Sequence, residues 1–155
     1  MLGRRITAIR KAILGCDSAI IGGDYKAYKE SLFDESHLIL DKDDKPTYFL
    51  IRQLTDAHKD AIAGEAGTRK QAKLACRCAL VGVENYMATG DGNKPSLQID
   101  YEEHITCGKI VSREWFANLN LPTEQLLDLY LCIDYHSEAQ LPLSKRSVVQ
   151  FGQAG

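Results

Sequence analysis

Proline and glycine are scarce in this chain, tryptophan and methionine are almost missing, and no apolar run is long. Four Pro and 12 Gly among 155 residues exclude a collagen-like or Pro/Gly-driven disordered chain. Apolar residues at 45% and charged residues at 26% instead suit a globular domain with a core of its own. The longest apolar runs, 12–14, 19–21 and 129–133, fall far short of the roughly 18 residues a membrane span needs. No membrane partner is therefore expected. Met1-Leu2-Gly3-Arg4-Arg5 starts like a secretory leader, but Arg10 and Lys11 interrupt the apolar stretch that should follow, so secretion is not expected.

A dominant charge of either sign is also missing. Nineteen Lys and Arg stand against 21 Asp and Glu, a formal charge of −2, which argues against nucleic acid as a bulk partner. The charges nevertheless segregate. Arg4, Arg5, Arg10 and Lys11 form one basic group, Arg69, Lys70, Lys73 and Arg77 a second, and Lys145 with Arg146 a third, while Asp41, Asp43 and Asp44 mark an acidic connection. Five cysteines, an odd number scattered along the chain, argue against a paired disulfide framework and for reduced thiols and a cytoplasmic site of synthesis.

Catalytic and metal templates are missing as well. Cys76 and Cys78 lie two apart on an expected helix, so their side chains diverge by about 200° and cannot share an ion. They read as small core residues, as does Cys132. The run from Asp41 has the beginnings of a calcium loop, yet Pro46 stands where glycine is required and Arg52 where a bidentate Glu is required. No phosphate-binding glycine loop, nucleophile elbow or H-E-x-x-H appears. No cofactor and no metal are expected. The least implausible nucleophile is Cys107, beside Gly108 and three residues after His104, with His104 or His136 as its base. Arg69, Lys73 and Arg77 recur every four residues and share a helix face. Without interleaved aromatics to stack bases, that stripe reads first as a solvated face and second as a contact for nucleic acid or an acidic protein.

What is present is periodicity. Ile6, Ile9, Ile13 and Leu14 predict a short amphipathic helix over 4–15, and Tyr25, Tyr28 and Leu32 another. Residues 37–40 and 47–54 predict a β-hairpin joined by 41–46. Thr55 should cap a helix to about Ala63; Thr68 and Gln71 fit a capping box opening a helix over 68–87. Residues 88–96 read as a surface loop, and 97–101 and 109–111 as short strands. Ser112 should cap a helix that buries Trp115, Phe116 and Leu119. After Pro122, a helix loaded with Leu126, Leu127, Leu129, Tyr130, Leu131 and Ile133 is apolar on nearly all sides and suits a core or an interface.

The segment Pro46-Thr47-Tyr48-Phe49-Leu50-Ile51-Arg52-Gln53-Leu54-Thr55 resembles small proteins encoded among the morphogenesis genes of tailed bacteriophages, tail-assembly chaperones and other virion-associated proteins, in which a strand ending in Arg-x-Leu-Thr enters a helical region. The layout of 111–136 is similar to their C-terminal part. Over residues 31–140 the resemblance implies a non-enzymatic structural or assembly role, with other virion proteins as partners and the virion as location.

These readings converge on an α+β, mainly α-helical single domain over 1–140, with a small antiparallel hairpin or sheet and an extended arm over 141–155. The expected function is assembly through protein–protein contacts, with other copies of the chain in a homo-oligomer among the partners. Candidate contact residues are Trp115, Phe116, Leu127, Tyr130, Leu131, Val148, Val149 and Phe151. The alternatives are a thiol enzyme on Cys107 and a regulatory module using the basic helix face.

Overall fold

The computed structural model describes residues 8–86, 94–96 and 98–138. The arm over 141–155, with Val148, Val149 and Phe151, lies outside them. In chain order the elements are β1 (Arg10–Ala12), β2 (Ile20–Gly23), α1 (Tyr25–Glu30), a 3-10 turn (Glu35–His37), β3 (Leu38–Leu40), β4 (Tyr48–Ile51), α2 (Asp56–Ala63), α3 (Thr68–Ala79) and β5 (Leu80–Tyr86). Then follow β6 (Lys94–Ser96), β7 (Tyr101–His104), β8 (Gly108–Val111), α4 (Arg113–Leu119) and α5 (Thr123–Ser137). The α+β class fits, but the expectation of a mainly helical domain is overturned. Among the described residues, eight strands in three antiparallel sheets stand beside five α-helices.

Much of that extra sheet comes from segments whose spacing also fits a helix. Arg10–Ala12 is a strand, paired with β4 as Arg10↔Ile51, Lys11↔Leu50 and Ala12↔Phe49. Ala12, Ile13 and Leu14 are buried in succession, which one face of a helix does not allow. The helix expected over 68–87 stops at Ala79, and Leu80, at φ −73° and ψ 127°, turns the chain directly into β5. Val81 and Val83 are stiff at χ1 and prefer extended backbone once β4 offers a ladder, with Phe49 opposite Val83 and Leu50 opposite Gly82.

The expected hairpin over 37–54 is also corrected. Both strands form, but they part company. β3 pairs with β2, while β4 lies between β1 and β5 in the main sheet, ordered β1-β4-β5-β6. A seven-residue connection containing Pro46 gives no tight turn to hold them together. Residues 94–96, read as loop, form the edge strand β6.

The helix ends follow capping chemistry where a side chain is in place. Thr55 Oγ1 accepts from the His58 amide and His58 Nδ1 accepts from the Thr55 amide, each at 3.1 Å, closing a reciprocal cap on α2. Ser112 Oγ caps α4 through the Trp115 amide at 3.1 Å. Thr68 does not cap α3, which opens on Gly67 with no side-chain acceptor.

The core lies where α3 packs on α5 and both close against the sheet. Ala72, Ala75, Cys76 and Ala79 give α3 a flat face of small residues, letting α5 approach with Leu126, Leu129, Cys132 and Ile133. Burial of each large aliphatic side chain contributes about 1.5–3 kcal/mol. Cys76, Cys78 and Cys132 are all buried in this core, and burial drives their thiol pKa values up, Cys132 to about 12. Asp128 ties the layers together: Oδ2 accepts from the Gly15 amide at 2.8 Å and the Tyr25 hydroxyl at 2.9 Å, and Oδ1 lies 3.7 Å from Lys29 Nζ. Tyr28, wholly buried, accepts from the Ile13 amide at 2.9 Å.

Candidate binding cleft

One side of α3 remains uncovered and forms a wall of a cleft of about 600 Å³. The exposed half of α3 contributes Arg69, Lys70 and Lys73; α4 contributes Arg113, Phe116 and Ala117; and the β7–β8 turn contributes His104. Leu74, Phe116, Leu121 and Leu126 line it with apolar surface. Leu74, Phe116 and Leu126 are nearly buried and Leu121 half-buried, so their exposed edges form a floor and the cations a rim.

The cleft is built around Arg77, the innermost residue of the basic row. Its Nε donates to the Val111 carbonyl at 2.9 Å and its NH2 to Glu102 Oε2 at 2.8 Å. Glu102 Oε1 accepts from the Arg113 amide at 3.1 Å. One guanidinium and one carboxylate thus pin α3, the β7–β8 hairpin and the start of α4. The Arg113 amide and then the Arg77 guanidinium hold the Glu102 carboxyl below its ordinary pKa. The expectation that Arg69, Lys73 and Arg77 form one solvated stripe is therefore corrected: Arg77 is only 7% exposed and has its partners inside the fold.

The other cations differ. Among the described residues, none of Arg69, Lys70, Lys73 and Arg113 has a carboxylate within ion-pair distance, and Glu65 is the one acidic side chain in the cleft lining. His104 Nδ1 accepts from the Thr106 and Cys107 amides, each at 3.1 Å, which folds the β7–β8 turn and leaves Nε2 as the nitrogen available to a ligand. Asn120, at φ 53°, ends α4 in the left-handed conformation that asparagine tolerates and completes the rim.

The structure separates the residues of the thiol reading. The Cys107 amide, not its thiol, meets His104. His136 belongs to α5, where its Nε2 lies 2.8 Å from the Ala8 carbonyl and so carries the proton. Burial holds its pKa below the ordinary imidazole value. Gln53 Nε2 donates to the His136 carbonyl at 2.7 Å and the Leu54 amide to Ser137 Oγ at 2.9 Å, so the end of α5 is a buried joint. Cys107 instead neighbours the Cys78 thiol, whose pKa is raised first by burial and then by Cys107. Among the described residues, no group of three or more His, Cys, Asp or Glu is placed to hold a metal ion, and no helix is long and apolar enough to cross a membrane.

The expected contact residues divide. Phe116 is in the cleft floor, whereas Trp115 and Tyr130 are half-buried and pack against the core. Leu127 and Leu131, one turn apart on α5, are 36% and 42% exposed. Arg113, Asn120 and the role of Glu102 escaped the sequence reading, since they come together only through the hairpin and α4. No protein-family model, curated protein or solved structure matches the chain.

Proposed function

We propose that this protein is a non-enzymatic assembly protein of a tailed-phage virion, acting through protein–protein contacts with other virion proteins and with copies of itself. The observation that carries the reading is the character of the cleft: cations without an ion-pair partner among the described residues, set around an apolar floor, a surface suited to holding another chain. The phage-like segment supports it from a second side. Tyr48–Ile51 is a strand that passes through Arg52, Gln53 and Leu54 into a helix capped by Thr55, the strand-to-helix order of the phage proteins it resembles. Leu127 and Leu131 add exposed apolar surface to α5, the helix this reading assigns to contacts.

An early amber codon in the gene, within the phage genome that encodes it, tests the proposal. Lysates grown with and without a suppressor are compared by negative-stain electron microscopy. Stalled or missing particles without suppression are expected, with particles restored under suppression. Normal particle yield in both would overturn the reading.

A further inference from the structure

The cleft between α3, α4 and the β7–β8 turn is specific enough to name the chemistry of its occupant. We infer that it holds an acidic polypeptide segment of a partner protein, carrying at least one large apolar side chain. The inference rests on the reading of this cleft as a protein-contact surface and adds what the contact recognises.

The cationic rim comes first. Arg69 and Lys73 lie one turn apart on α3, Lys70 lies three residues before Lys73, and Arg113 faces them from α4. All four lack an ion pair among the described residues. Like charges so placed repel one another, and carboxylates from outside relieve that repulsion.

The floor then separates a polypeptide from other anions. A site for free phosphate or sulfate alone needs no apolar surface, whereas the half-buried Leu121, beside the exposed edges of Leu74 and Phe116, offers a seat for an aliphatic or aromatic anchor. A volume of about 600 Å³ gives room for an anchor together with the charged residues beside it. Nucleic acid fits less well. Single strands are held by stacking on exposed aromatic faces, and the aromatic ring in this lining, Phe116, is 7% exposed.

The test is fluorescence anisotropy with the full chain and four labelled probes: a Glu-rich peptide with central Leu and Phe, its twin with Gln for every Glu, its twin with Ser for Leu and Phe, and oligo(dT). Binding of the first peptide is expected, weakening as salt is raised, with each twin weaker by about tenfold, the loss of one or two good contacts. The exposed double substitution Arg69→Glu with Lys73→Glu should weaken the first peptide by about a hundredfold while its thermal melt stays unchanged. Arg113→Glu, on a different element, is the second variant and should act in the same direction. Absence of peptide binding, equal binding by the three peptides, or tighter binding by oligo(dT) would each overturn the inference. Failure here with stalled amber lysates removes the named occupant and leaves the assembly role. Peptide binding with normal lysates does the reverse.

Discussion

Lys73 and Arg77 occupy the same helix, carry the same charge and lie one turn apart, yet the fold treats them in opposite ways. Arg77 is buried, donating to the Val111 carbonyl and to Glu102. Lys73 is exposed at the edge of the cleft with no carboxylate partner among the described residues. Arg77 is scaffold, and the outer cations are the surface that the scaffold presents. A basic row is not one functional unit: a cation already satisfied inside the fold has little left to offer a ligand.

The sharpest way to break the comparison is to remove each residue in turn. Arg77→Ala strips a buried carbonyl of its donor and unlinks the hairpin from α3, and should lower unfolding free energy by about 3 kcal/mol in urea. Lys73→Ala should change it by less than about 0.5 kcal/mol. Similar losses for the two would erase the distinction. Asp128→Ala provides a second anchored charge away from the cleft; losing its bonds from Gly15 and Tyr25 should cost about 2 kcal/mol without altering peptide binding.

A smaller effect follows from the buried histidines. Burial holds His136 and His58 below the ordinary imidazole pKa, so the unfolded chain takes up these protons first as pH falls. Their contribution to stability is fully present above about pH 6.5 and is lost progressively as pH drops toward their folded-state values. The melting temperature should therefore fall between about pH 7 and pH 5.5, and His136→Gln should flatten that slope. An unchanged slope would place the pH sensitivity elsewhere. The smallest expected effect is on α5: Leu127→Ser and Leu131→Ser, at half-exposed positions, should leave the melt within about 0.5 kcal/mol and the cleft untouched.

What was legible in the sequence follows from the range of the forces involved. Helix caps are local, and Thr55, Ser112 and the Pro122 break were readable from a few residues. The burial of Cys76, Cys78 and Cys132 followed from the apolar context of each. Strand partners are not local. β4 reads as a hairpin mate of β3 because they are neighbours in sequence, while its partners, β1 and β5, come from segments whose apolar spacing also suits a helix. The cleft suffers the same limitation. Arg69, Lys70, Lys73 and Arg77 stood out as a basic cluster, but which of them is free depends on Glu102, more than twenty residues away, and on α4 bringing Arg113 opposite. A carboxylate beside a buried arginine leaves no mark in local composition.

The most direct measurement of the central claim is amide chemical-shift mapping of the isotope-labelled protein as the Glu-rich Leu-Phe peptide is added. The account predicts shifts confined to the exposed half of α3, the β7–β8 turn and α4, with Arg77 side-chain resonances retaining their environment. Shifts centred on Leu127 and Leu131 of α5, with α3 silent, would contradict it.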